Sequence, residues 1–140
     1  MISFQSEGME IPRMDVELIM RWLTGVATRY GKRVGNLTYK FCDDDEILRV
    51  NREFLSHDYF TDIITFDYTI GNKVGADILI SLDTVRSNAE MLGVGFDDEL
   101  HRVLVHGLLH LCGLKDKTPE ERAAMESAEN DALCALTTMS

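Results

Sequence analysis

The sequence predicts an α+β domain in which helices cover a small mixed β-sheet, and three observations predict it. Short segments alternate apolar and polar side chains, while longer ones repeat apolar residues every three or four positions. The strand-like segments lie mostly early in the chain and the helix-like ones mostly late. A β-rich pair flanks Gly71-Asn72-Lys73, which reads as the turn of a hairpin. With 140 residues, 45% of them apolar, residues 1–140 are expected to form one domain around a single core.

Residues 2 to 6 are short enough to suit an edge strand. Asp15 opens a helix whose buried face is read as Val16, Ile19, Met20, Leu23, Val26, Ala27 and Tyr30, and Gly31 ends it. Leu37 to Phe41 alternates as a strand. The acidic cluster Asp43 to Glu46 suits a helix N-terminus, where free amides and the helix dipole favour negative charge. Ile47, Leu48, Asn51, Phe54 and Leu55 continue that helix. Ile63–Tyr68 and Val74–Ser81 form the hairpin strands. Asp83–Leu92 reads as a helix broken by Gly93-Val94-Gly95, and Asp97–Cys112 as a strongly apolar helix ending near Gly113. Thr118-Pro119-Glu120-Glu121 places a capping threonine, a first-position proline and a third-position glutamate before the last helix. Its apolar face is read as Met125, Ala128, Leu133 and Leu136.

The net charge of −10 repels nucleic acid and acidic membranes at long range, though it leaves room for a local positive groove. The chain from Leu18 to Cys42 carries basic residues and no acidic one, which makes it the candidate positive patch. Cys42, Cys112 and Cys134 lack the spacing of a disulfide scaffold or a four-cysteine zinc site and are expected to be small buried hydrophobes. Neither a signal-peptide pattern nor a membrane-length apolar run is evident. A cytoplasmic protein without membrane contact is the expectation.

The chemistry concentrates in His106-Gly107-Leu108-Leu109-His110-Leu111-Cys112-Gly113-Leu114-Lys115-Asp116. Four residues of helix turn through about 400°, which leaves the two histidines ~40° apart on adjacent turns. Gly113 permits the chain to turn back and deliver Asp116 to the same point. Two nitrogens and one carboxylate oxygen leave a position for water, as in a catalytic zinc site. His106, His110 and Asp116 are thus the candidate ligands of one divalent ion, zinc being the expected metal, on a zincin-like helix. The competing reading, two hydrogen-bonded core histidines, suits a bare pair better than a pair followed by glycine and an acid. His101 lies about 140° around the helix from His106 and is expected at the surface or behind the ligands. Metalloproteases of the HExxH type place their general base after the first histidine. Gly107 supplies no such group, so peptide hydrolysis by that route is disfavoured.

His-Gly-Leu-Leu-His-Leu-Cys-Gly followed by Asp116 resembles the YbeY family of ribosomal-RNA maturation factors, metal-dependent endoribonucleases specific for single strands. Asn51-Arg52-Glu53-Phe54, Thr61-Asp62-Ile63-Ile64-Thr65-Phe66 and Gly75-Ala76-Asp77-Ile78 also resemble that family's segments, in the same order. The likeness spans roughly residues 45 to 130. Two positions depart from the family pattern. Asp116 stands where the family has a third histidine, adding a negative charge and suiting other ions such as manganese. Leu55 stands where the family commonly has an arginine, leaving Arg52 or His57 to take over the phosphate contact.

The resemblance implies cleavage of an RNA phosphodiester, by hydrolysis or through the ribose 2′-hydroxyl, with the ion polarising a phosphate oxygen or acidifying water. It implies action in ribosomal-RNA processing and quality control, with single-stranded or ribosomal RNA and the small ribosomal subunit and its proteins as partners. His57 is the candidate acid–base residue, since an ordinary histidine titrates near the working range; an exposed loop histidine is the equal alternative. Arg29, Lys32, Arg33, Lys40 and Arg52 are the candidate RNA contacts, and Tyr59 and Phe60 the candidate stacking residues. Asp62 and Asp77 are expected to orient ligands or strands from behind. A non-catalytic ribosome-assembly factor with a structural ion and a small-substrate metallohydrolase remain alternatives.

Overall fold

The computed structural model describes residues 1–54 and 63–139. The described elements are β1 (Ile2–Ser6), α1 (Val16–Arg29), β2 (Arg33–Cys42), α2 (Asp44–Phe54), β3 (Ile63–Asp67), β4 (Lys73–Ser81), α3 (Leu82–Leu92), α4 (Phe96–Leu111) and α5 (Pro119–Met139). The strands form one sheet in the order β1-β2-β4-β3. β1 and β4 run parallel to β2, and β3 runs antiparallel to β4. The sheet is mixed and helix-covered, as the pattern predicts.

Local signals set most boundaries. The Asp15 carboxylate accepts from the Leu18 amide at 3.2 Å, and Gly31 takes φ 71° after α1. Asp43 accepts from the Glu46 amide at 2.8 Å, so the acidic cluster does cap a helix. Asp44 does more, since its carboxylate accepts from the hydroxyls of Ser81 and Thr84 and ties the start of α2 to the start of α3. At α5 the Thr118 hydroxyl accepts from the Glu121 amide at 3.1 Å while the Glu121 carboxylate accepts from the Thr118 amide at 3.0 Å. That reciprocal pair satisfies two otherwise orphan donors. The hairpin turn closes through Ile70 and Lys73, with Gly71 at φ 60°.

Strand alternation divides the molecule into two layers of unequal size. Ile2, Leu37, Tyr39, Phe41, Val74, Ala76, Ile78 and Ile80 point to the face that α1 and α4 cover, with α5 packed on those two helices, and form the main core. Cys42, Ile64 and Leu79 point to the other face, against Ile47 and Val50 of α2. Two buried polar ties fix the helices. The Tyr39 hydroxyl donates to the Leu104 carbonyl at 2.8 Å, and the Trp22 indole donates to the Ala132 carbonyl at 2.7 Å. Trp22 is 1% exposed and replaces Val16 and Tyr30, both exposed, in the expected face of α1. Cys134 is likewise exposed and Cys112 half-buried, so only Cys42 is the buried thiol expected of all three. Burial, then the nearby Glu46 and Asp43 carboxylates, push the Cys42 thiol up to about 12.

Gly107 explains how α4 seats on the sheet. A Cβ there would lie 3.0 Å from Ile63 Cδ1 and 3.1 Å from Ile78 Cδ1. The close approach that its small size permits is therefore to β3 and β4. Gly107→Val is expected to lower stability by about 1–3 kcal/mol through overpacking, read from urea denaturation. An unshifted denaturation midpoint would contradict this seating.

Candidate metal centre

α4 ends in a turn that also positions its last histidine. The Leu114 amide donates to the Leu109 carbonyl at 3.1 Å, Gly113 sits at φ 105°, and the Gly113 amide donates to the His110 carbonyl at 3.0 Å. The six-to-one bond is the mark of a Schellman-type stop. It turns the Leu114 carbonyl onto His110, whose Nδ1 lies 3.0 Å away. A carbonyl only accepts, so Nδ1 of His110 carries the proton and Nε2 presents a lone pair.

His106 is held the same way by a different group. Its Nδ1 lies 2.5 Å from Oε2 of Glu129, a carboxylate on α5 that is 7% exposed. The other Glu129 oxygen accepts from Arg102 at 3.1 Å, and Arg102 also lies 3.5 Å from Glu99. The buried carboxylate is thus compensated by a guanidinium, as burial of charge requires.

With both Nδ1 atoms engaged outward, the Nε2 atoms turn inward. They lie 3.1 Å apart, and Asp116 Oδ2 lies 3.2 Å from His110 Nε2 and 3.5 Å from His106 Nε2. Three acceptors facing one another repel unless a cation sits among them. Ligand atoms at ~2.0–2.1 Å from a tetrahedral zinc are about 3.3–3.4 Å apart, which matches the spacing here. The donor set fits a divalent ion, and its members are each half-buried.

A cleft of about 470 Å³ opens beside this triad, with His106 and Asp116 at its edge and Leu92, Val94, Met125, Arg122 and Glu126 around it. The remaining expected site residues are placed elsewhere. His57, Asp62, Leu55, Tyr59 and Phe60 lie outside the described residues. Asp77 points to the sheet face opposite α4, where it accepts from the Tyr68 hydroxyl at 3.1 Å. Its neighbours Ala76 and Ile78 face the main core, so strand alternation prevents Asp77 from orienting a metal ligand. Lys40 points to that same far face and pairs with Glu7 at 3.4 Å. Arg29 lines a shallow groove with Asp131 and Cys134 of α5, and Arg33 starts β2 opposite Lys73. Arg52 lies on α2, which packs against the far face. None of Arg29, Lys32, Arg33, Lys40 and Arg52 is among the described residues lining the metal cleft. Proximity in sequence does not gather them into one groove.

His101 is half-buried and lines a separate groove with Asp98, Leu133 and Thr137. Its ring packs edge-on against Trp22, with centroids 6.0 Å apart, and burial pulls its pKa down. Glu129 and Arg122 went unread in the sequence. Glu129 had a signal: it interrupts the buried stripe Met125, Ala128, Ala132 and Leu136 of α5, and a lone carboxylate on such a stripe needs a partner.

Comparison with known proteins agrees with the geometry. A family profile described as endoribonuclease YbeY matches residues 1–137. An endoribonuclease YbeY of Phocaeicola vulgatus is 57% identical over 133 residues, covering 95% of this chain and 96% of that one. One from Bacteroides thetaiotaomicron is 54% identical over 132 residues, covering 94% and 96%. The solution structure of a Thermotoga maritima protein shares the fold, with a TM-score of 0.62 at 22% identity, covering 99% of this chain and 93% of that one. The matched length, and a histidine pair and aspartate gathered within bonding reach of a common ion, show that the chain belongs to the YbeY endoribonuclease family.

Proposed function

We propose that this protein is a metal-dependent endoribonuclease that cuts single-stranded RNA during ribosomal-RNA maturation and quality control in the cytoplasm. The observation that carries the reading is the convergence of His106 Nε2, His110 Nε2 and Asp116 Oδ2 at 3.1–3.5 Å beside an open cleft. None of the described helices is long and apolar enough to cross a membrane, which suits action on ribosomal RNA and the small subunit. Zinc is the metal we assign, since two imidazoles and one carboxylate are its common ligands.

A divalent ion held there supplies Lewis acidity for a phosphodiester. The protein's own contribution is positional. Glu129 and the Leu114 carbonyl fix the tautomer and tilt of the two imidazoles, and Asp116 neutralises one unit of the ion's charge. The cleft beside them, about 470 Å³ in volume, is the space in which an unpaired strand would meet the ion, and unpaired bases can be splayed out onto side chains in a way that duplex bases cannot.

The test is cleavage of matched single- and double-stranded RNA by untagged protein, with and without a chelator. Selective cutting of the single strand, abolished by chelation and restored by zinc or manganese, is expected. Bound metal with no cleavage of any RNA would favour the assembly-factor alternative instead.

A further inference from the structure

We infer that the cleft beside His106 and Asp116 is a nucleotide subsite, in which Arg122 contacts a phosphate and an apolar wall from two elements receives the adjoining base. The inference rests on the endoribonuclease reading and assigns that activity a substrate-binding residue outside the basic stretch of the sequence.

The cleft has two unlike sides. Met125, 2% exposed, forms an apolar floor on α5. Leu92 at the end of α3 and Val94 in the turn that follows, 58% and 42% exposed, form the other side. Exposed aliphatic groups scattered singly need no explanation. These two share one concavity with a buried methionine and the metal-holding atoms, and the volume of about 470 Å³ is that of a small-molecule site. An apolar slot accepts the face of any base, which suits an enzyme that reads strandedness rather than sequence.

Charge singles out Arg122. The described cations lining the cleft are Arg102 and Arg122. Arg102 lies against Glu99 and Glu129 and serves the His106 support. Arg122 instead donates one guanidinium N–H to the Lys117 carbonyl at 3.0 Å. That bond aims the planar head while leaving it donors for a phosphate oxygen. Its position in the first turns of α5, set by the Thr118–Glu121 cap, puts it in the lining of the same cleft as Asp116.

The same residues explain how an acidic protein binds RNA only when loaded. Asp116, Glu126 and Glu129 outweigh Arg102 and Arg122 by one negative charge among the described lining residues. A divalent ion reverses that sign. Phosphate then meets a locally positive cleft inside a chain of net charge −10, and the ion and Arg122 act on neighbouring phosphates.

The experiment measures binding of a single-stranded 2′-O-methyl oligonucleotide by fluorescence anisotropy across salt concentrations, with zinc-loaded and zinc-free protein. Both Arg122→Ala and Val94→Ser alter exposed side chains, and zinc content and thermal unfolding check that each variant is intact. For Arg122→Ala we expect about tenfold weaker binding and a salt slope reduced by about one. For Val94→Ser we expect about fivefold weaker binding with the slope unchanged, and zinc removal should abolish binding by all forms. Wild-type affinity and slope in Arg122→Ala overturn the subsite. If wild-type protein binds the oligonucleotide as described yet cuts no RNA, the endoribonuclease reading fails while the subsite stands.

Discussion

His110→Ala is expected to lower zinc affinity and single-strand cleavage by more than ~100-fold, beyond the 10–100-fold effect of losing a group behind a ligand. Among the described residues, two Nε2 atoms and one carboxylate oxygen define the site, so removing one leaves two ligands of a common four. The fold should survive. His110 is half-buried at the last turn of α4, and the Schellman-type stop is made by backbone groups of Leu109, His110, Gly113 and Leu114, which alanine retains. Elemental analysis, cleavage rate and thermal unfolding of the zinc-free forms separate these effects. Full activity in the variant would remove the triad from the account. Collapse of the zinc-free protein would make the ion structural.

Glu129→Ala is expected to weaken zinc binding by about 10–100-fold although Glu129 touches no ion. The 2.5 Å contact to His106 Nδ1 fixes the ring's tautomer and makes its inward-facing Nε2 a better donor to metal. Glu129→Gln keeps an oxygen to accept that proton but loses the charge that balances Arg102. It should fall between wild type and Glu129→Ala. A purely structural role predicts another pattern, in which affinity follows thermal stability and glutamine gives no rescue. Chelator competition and thermal unfolding of the same samples distinguish the two. Equal zinc affinity in all three proteins would show that the helix alone orients His106.

The contrast between these residues shows what local sequence carries. Helix caps and stops act within a few residues, so Asp15, Asp43, Gly31, Gly113 and the Thr118–Glu121 pair were readable without coordinates. The metal triad was readable for the same reason. Two ligands sit one helical turn apart, and the third follows a glycine turn. Long-range pairing leaves no such mark. Nothing in residues 2–6 announces that they lie parallel to residues 37–41, with α1 as the crossover between β1 and β2. The strand order β1-β2-β4-β3 then decides which face each side chain meets. Strand alternation sends Lys40 and Asp77 away from the metal, and the packing of α5 on α4 brings Glu129, 23 residues after His106, against it. Composition misled where it was averaged over a segment. The basic stretch from Leu18 to Cys42 is divided by burial and strand alternation into separate surfaces, while Arg122, in an acidic tail, reaches the cleft.

The central claim is that one divalent ion is bound through His106 Nε2, His110 Nε2 and Asp116 Oδ2. Zinc-edge X-ray absorption on untagged protein with one equivalent of zinc tests it most directly. The account predicts two nitrogen scatterers in imidazole rings and one or two oxygens, all at about 2.0–2.2 Å, with the imidazole signal halved in His110→Ala. Sulfur at about 2.3 Å, or an unaltered spectrum in that variant, would place the ion elsewhere and contradict the account.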